Sequence, residues 1–143
     1  MSIFRSMSIN TSGLTAERLR MDTISSNIAN AGTTRTEDGG PYRRKVAVFE
    51  EHVRREMDQI SGRRRDMSSG VRAVGILDDP DPLPRVYNPS HPDADEFGYV
   101  EMPNVNLLTE MIDMMASRRA DEANVTALNT SKSILMKTLE IGR

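Results

Sequence analysis

A chain of 143 residues with a net charge of −2 has room for one modest core, and its charge balance exerts no pull toward nucleic acid. Only 37% of its residues are apolar and 4% aromatic, with no Trp and ten Met, a composition suited to adaptable contacts rather than a rigid interior. Cysteine is absent, which excludes disulfides, thiol catalysis and thiolate metal sites.

The small net charge hides a division. Met1 to Gly75 holds 13 Lys/Arg and 9 Asp/Glu, a balance of +4, whereas Ile76 to Arg143 holds 6 and 12, a balance of −6. Opposite-sign surfaces attract when copies of one chain stack head to tail. A chain that buries little surface alone completes its burial in an oligomer or on a partner. No apolar run approaches the ~20 residues that span a bilayer. The opening "MSIFRSMSINTSG" lacks the continuous apolar stretch of a cleavable secretory signal. The expectation is a cytosolic protein, or one that leaves the cell by a route reading no such signal.

In chain order, Met7, Leu14, Met21 and Ile28 recur every seven residues, with Ile3 and Ile24 in the companion seam. Glu17, Arg18, Arg20 and Asp22 lie between them. This spacing predicts a helix over 1–32 bearing the narrow contact stripe of a coiled coil. Gly13 costs such a helix about 1 kcal/mol relative to Ala and marks a joint or a close approach. Gly32 is expected to take the left-handed conformation that stops the helix. Just before it, "SSNIANAGTTRT" places Asn27 and Asn30 around Ile28, although Asn is a mediocre helix former. At packed positions, polar side chains cost stability but set register and reject wrong pairings. Both are therefore predicted to hydrogen-bond to neighbouring backbone or to the C-terminal helix, while the small Ala29 and Ala31 admit a close neighbour.

The middle changes period. "YRRKVAVFEEHV" alternates around Val46 and Val48 and reads as a strand; "GVRAVGIL", Gly70 to Leu77, reads as a second, and "RVY" at Val86 as a short third. "SGRRRDMSSG", Ser61 to Gly70, is expected to be a polar hairpin tip or loop. "DDPDPLPRVYNPSHPDADEFG" holds five of the seven prolines. Proline fixes φ and donates no ladder hydrogen bond, so this segment is expected to be extended and to follow a surface rather than fold on itself. From Asn106 to Ile141 there is neither Pro nor Gly, about 36 residues or roughly 54 Å of helix. Leu107, Met111, Met114, Val125, Leu128, Leu135 and Leu139 follow its 3–4 spacing, Asn104 or Asn106 supplies the N-cap, and Gly142 the stop. The predicted fold is mainly α with a small β insertion. Terminal helices at 1–32 and 104–143 pair as an α-helical coiled coil, with a β-hairpin region and an extended proline-rich arm, 33–103, between them.

Little catalytic chemistry is available. The histidines are His52 and His91. "HPDADE" gathers a histidine and three carboxylates, yet as a calcium loop it has Phe97 at the third ligand position and Asn104, not Glu, at the twelfth. It reads as a solvated acidic turn. No Gly-rich phosphate loop and no Ser/His/Asp set can be assembled, so no catalytic, cofactor or metal residue is assigned. The basic runs "YRRK" and "GRRRD" are broken by carboxylates and have one adjacent aromatic, Tyr42, too few for a single-strand stacking platform. Two readings remain for the terminal helices: a two-helix hairpin packed on a small sheet, or a polymer subunit whose paired helices line an assembly.

The residues themselves favour the second. "SGLTAERLRMDTISSNIANAGTTRTEDGGPYRRK", Ser12 to Lys45, closely resembles the N-terminal signature of the axial proteins of the bacterial flagellum, and within them the proximal rod proteins. "SHPDADEFGYVEMPNVNLLTEMIDMMASRRADEANVTALNTSKSILMKTLEIGR", Ser90 to Arg143, is similar to the C-terminal half of the same family. One departure is visible: the family usually places an aromatic before the "EAN"-like triplet, where this chain has Asp121. The resemblance implies a non-enzymatic subunit of the rod within the periplasm, without cofactor, nucleic acid or small-molecule substrate. It further implies export through the flagellar type III apparatus and polymerisation into a helical drive shaft that transmits torque. Its implied partners are other copies, the other proximal rod proteins and the adaptor joining rod to membrane ring. Assembly contacts are assigned to Leu14, Met21, Ile24, Asn27, Ile28 and Asn30 at one end, and to Asn124, Val125, Leu128, Asn129 and Leu135 at the other. The alternative from another class is a soluble helical adaptor or chaperone-like module that holds partner helices on its Met-rich stripes.

Overall fold

The computed structural model describes residues 3–57 and 64–142. Helix α1 (Ile3–Ala29) is followed by strands β1 (Lys45–Met57), β2 (Arg64–Asp78), β3 (Arg85–Tyr87) and β4 (Tyr99–Glu101), and then by helix α2 (Leu107–Ile141). β1 pairs with β2 and β3 with β4, in two separate two-stranded sheets. The architecture is thus mainly helical with small β-hairpins; α2 matches its Pro- and Gly-free stretch to a residue, and α1 ends three residues before the expected bound at 32.

The helix ends show how local chemistry sets them. Asn106 caps α2: its Oδ1 accepts the amides of Leu108 and Thr109 at 3.0 and 3.2 Å. The end of α1 differs from expectation. Gly32 is not left-handed; among the described residues the positive-φ glycines are Gly39, Gly40, Gly70 and Gly98. The last turn instead tightens through Ala31 N–H to the Ile28 carbonyl (3.3 Å) and Thr33 N–H to the Asn30 carbonyl (3.0 Å). The Ser26 carbonyl accepts both the backbone N–H of Asn30 at 3.1 Å and its side-chain amide at 2.9 Å, which ties Asn30 to the last turn.

In the middle, β2 already begins at Arg64, so much of the expected Ser61–Gly70 loop is strand; the tip at 58–63 lies outside the described residues. The proline-rich segment also departs from a plain extended arm. β3 and β4 pair antiparallel, with Arg85 opposite Glu101, Val86 opposite Val100 and Tyr87 opposite Tyr99. Between the strands, the Asp95 carboxylate accepts the amides of Phe97 and Tyr99 at 2.9 and 2.8 Å and the Arg85 guanidinium at 2.7 Å. Asp93 takes the Thr34 hydroxyl at 2.8 Å and Arg35 at 2.5 Å. The acidic stretch is thus a turn whose carboxylates tie down chain.

The chain forms two compact units, to both of which the two helices and the two long strands contribute. Unit one comprises Met1–Leu19, Val48–Gly75 and Ser117–Arg143. Here α1 comes close to its neighbours at Ser12–Gly13. A Cβ on Gly13 would lie 3.0 Å from Asn124 Nδ2 on α2, so this glycine marks the close approach that its cost predicts. A Cβ on Gly70, itself at φ +115°, would lie 2.1 Å from Ser12 Oγ, which accepts the Val71 amide at 3.1 Å. Unit two comprises Arg20–Ala47 and Ile76–Ala116. Its interior is unusual in kind: Glu110 and Asn27 stand with Val100 as the largest fully buried side chains.

Candidate functional site

The polar centre of unit two is built around Asn27. This residue, on the last turns of α1, is 1% exposed and uses its entire hydrogen-bonding capacity. Its Nδ2 donates to the Lys45 carbonyl at 2.9 Å and to Glu110 Oε2 at 3.0 Å. Its Oδ1 accepts the Lys45 amide at 2.9 Å and the Tyr42 hydroxyl at 3.0 Å. The side-chain amide therefore grips both backbone groups of Lys45, the first residue of β1, as a paired strand would. Tyr42, with its proton committed to Asn27, lies 3.4 Å from the Ser26 hydroxyl, which is left to donate.

Glu110, in the first turn of α2, has no solvent exposure and extends the network. Its Oε1 accepts Arg44 Nε at 2.7 Å; Arg44 also donates to Asp79 at 3.1 Å and approaches Asp113 at 3.8 Å. Burial opposes the Arg44 charge, but hydrogen bonds and attraction from Glu110 and Asp79 outweigh it, and its pKa lies above the ordinary value. The Asp81 amide and then Arg44 hold the Asp79 carboxyl below its ordinary value. The Arg44 backbone amide donates to Asn104 Oδ1 at 2.7 Å, and Asn104 Nδ2 bonds the Asp81 carbonyl at 3.1 Å. One buried carboxylate, bonded directly to Asn27 and Arg44 and through Arg44 to Asp79, thus joins α1, the start of β1, the proline-rich segment and α2. A buried polar cluster closed in this way is worth keeping only whole, because any orphaned member costs its full desolvation.

The sequence-assigned assembly residues fall into three groups. Ile24 and Asn27 are buried; Leu14, Met21, Ile28, Asn30, Asn124, Leu128 and Leu135 are half-buried; Val125 and Asn129 are exposed. The network brings Asn27 of α1 to α2 as predicted, though through Glu110, which the sequence reading passed over. Asp121, at the position of the family's usual aromatic, is half-buried on α2. Asn104 is not the α2 cap but a tie to Arg44.

Sequence reading also missed which side of α2 faces out. At 100° per residue, Leu108, Met111, Ile112 and Met115 share an arc of about 100°. They are 69%, 52%, 53% and 55% exposed. Glu110 and Ser117, on the opposite side, are buried. Here the helix turns polar residues inward and an apolar stripe outward, the reverse of a self-contained amphipathic helix. The sequence offers no signal for this, because Thr109, Asp113, Arg118 and Arg119 spread polar residues around the same stretch of helix. The described residues contain no cluster of three or more metal-ligating side chains and no helix long and apolar enough to cross a membrane.

Comparison with known proteins places this arrangement. Residues 7–35 match the family model described as flagella basal body rod protein, and 97–141 match that of the flagellar basal body rod FlgEFG protein C-terminal region. The chain is 45% identical to the flagellar basal-body rod protein FlgC of Borreliella burgdorferi, over 99% of this chain and 98% of that one. It is 42% identical to the FlgC of Bacillus subtilis and 37% to that of Escherichia coli O6:H1, over the whole of both chains in each case. The two matched regions cover most of α1 and all of α2, the elements that the Asn27–Glu110 contact joins.

Proposed function

Because the chain belongs to the FlgC family of flagellar basal-body rod proteins, we propose that it polymerises through its terminal helices into the helical drive shaft that carries torque across the periplasm. Its place is the basal-body rod, and its work is structural rather than enzymatic. In this reading α1 and α2 pair as a coiled coil, and the polar network around Asn27 holds the pairing in register. The outward stripe of α2, with Val125 and Asn129 beyond it, meets neighbouring subunits. Neighbours are further copies, the other proximal rod proteins and the adaptor to the membrane ring, reached after export through the type III apparatus.

The observation that carries the proposal is the inverted face of α2. Covering the exposed half or more of each of these four side chains is worth about 1–2 kcal/mol apiece, which a solvent-facing stripe forgoes. Contacts that repeat without closing make a filament from such a surface. The test is Leu108→Glu with Ile112→Glu, which leaves the inward Glu110 side untouched. The isolated variant is expected to keep the circular dichroism of the parent yet be absent from purified basal bodies, with motility lost. Normal motility of that variant would refute the assignment.

A further inference from the structure

We propose that Phe97 of one copy inserts into an apolar groove on unit one of a second copy, a head-to-tail contact within the rod. The proposal rests on the rod-subunit reading above and adds to it a contact formed by neither terminal-helix stripe. Phe97 is 79% exposed, although it is held on a firmly built turn. Its amide donates to Asp95 Oδ1 at 2.9 Å, and the same oxygen accepts the Tyr99 amide at 2.8 Å. Gly98, at φ +82°, has no room for a side chain, since a Cβ there would lie 2.9 Å from the Tyr87 ring. Tyr87 and Tyr99 pack edge to face at 5.3 Å beneath the turn. A large aromatic presented on a preorganised turn loses little entropy on burial, which is the character of an interface anchor.

The matching hole lies on unit one. Ala16, Leu19, Val71 and Ala73 line a mostly apolar cavity of about 500 Å³ with His52 and Arg72 at its polar side. A single aromatic side chain fits such a space and buries ~150–250 Å² on entering it. Charge selects a second copy as the source. Unit one holds 13 Lys/Arg against 9 Asp/Glu, and unit two 6 against 12, so they carry +4 and −6. Phe97 is flanked by Asp93, Asp95 and Glu96, so the knob arrives on the acidic unit and the hole belongs to the basic one. Such complementarity orients encounter and disfavours like-on-like pairing. Knob and hole are different patches of one chain, so the contact is heterologous and propagates.

The test uses two full-length chains, Phe97→Cys and Ala73→Cys, co-expressed in flagellated cells without the native gene and oxidised in isolated basal bodies. No other cysteine is present. A disulfide-linked dimer is expected, at least about tenfold above that formed when Val74→Cys replaces Ala73→Cys, because adjacent strand residues face opposite ways. Incorporation of both chains without that excess overturns the contact and leaves the rod reading standing. Absence of even the unsubstituted chain from basal bodies overturns the rod reading, and this contact with it. If Phe97→Cys alone is excluded from basal bodies, Phe97→Met decides: incorporation restored by an apolar side chain supports the knob, and continued exclusion overturns it.

Discussion

Asn27→Asp exchanges one NH₂ for an oxygen at nearly constant volume, and the network translates that exchange into a large and pH-dependent loss. In the native chain Nδ2 stands 3.0 Å from Glu110 Oε2 and 2.9 Å from the Lys45 carbonyl. An ionised carboxylate there places like charges at that distance, a repulsion of about 5 kcal/mol at an effective dielectric constant of about 20. Whole-domain stabilities are about 5–15 kcal/mol, so the folded variant is expected to relieve the repulsion by taking up a proton. The new carboxyl then binds its proton more tightly folded than unfolded, where its pKa is about 3.9. With the folded value raised, stability grows as pH falls through that value towards the unfolded one and is lost as pH rises. Recovery stays incomplete, because a protonated carboxyl has one hydrogen for two acceptors and leaves the Lys45 carbonyl short by about 1 kcal/mol. Urea unfolding of the full chain, followed by circular dichroism at pH 7.5 and pH 5, reads this directly. Asn27→Ala, which removes the same bonds without adding charge, should show a deficit of about 3–5 kcal/mol that changes little with pH. A midpoint for Asn27→Asp equal to the parent's, or a deficit identical at both pH values, would refute the reasoning.

Arg44→Met leaves Glu110 buried without its cation and should cost about 3–5 kcal/mol, read as a lowered urea midpoint; an unchanged midpoint would show that the pair does not support the fold. Gly70→Ala combines a left-handed φ with a clash against Ser12 and should destabilise by about 1–3 kcal/mol in thermal unfolding. Adding Ser12→Gly should recover the part due to the clash and leave the backbone part in place; full recovery would count against the φ argument.

Much of this protein was legible locally. The seven-residue recurrence of Met7, Leu14, Met21 and Ile28 and the long stretch free of Pro and Gly predict α1 and α2, because helices are set by interactions within four residues. Asn106 was legible as a cap for the same reason, and the two alternating runs as strands. The long, ordered end signatures carried the family. The termination of α1 misled: Gly32 looked like the stop, but the helix ends earlier in a tightened turn through the Ile28 and Asn30 carbonyls. β3 was read from its short run, but its partner β4 was not, and with it escaped the fold-back of the proline-rich segment.

The candidate site divides along the same line. That Asn27 should bond to neighbouring backbone or to the C-terminal helix followed from its being a poor helix former at a packed position. Its partner did not follow, since Glu110 lies 83 residues from Asn27, and the Arg44 that neutralises Glu110 lies 66 residues from it. Nor does a sequence say which side of α2 is covered, as Glu110 and Leu108 are equally acceptable to an isolated helix. The sequence by itself determined the helices, the strands, the division of charge and the kinship, all of which rest on neighbours in the chain or on the order of residues. Only the tertiary structure decided that α2 turns its carboxylate inward and its Leu and Met outward. A buried charge is tolerable only where distant groups converge to satisfy it, and that convergence exists only once the chain has folded.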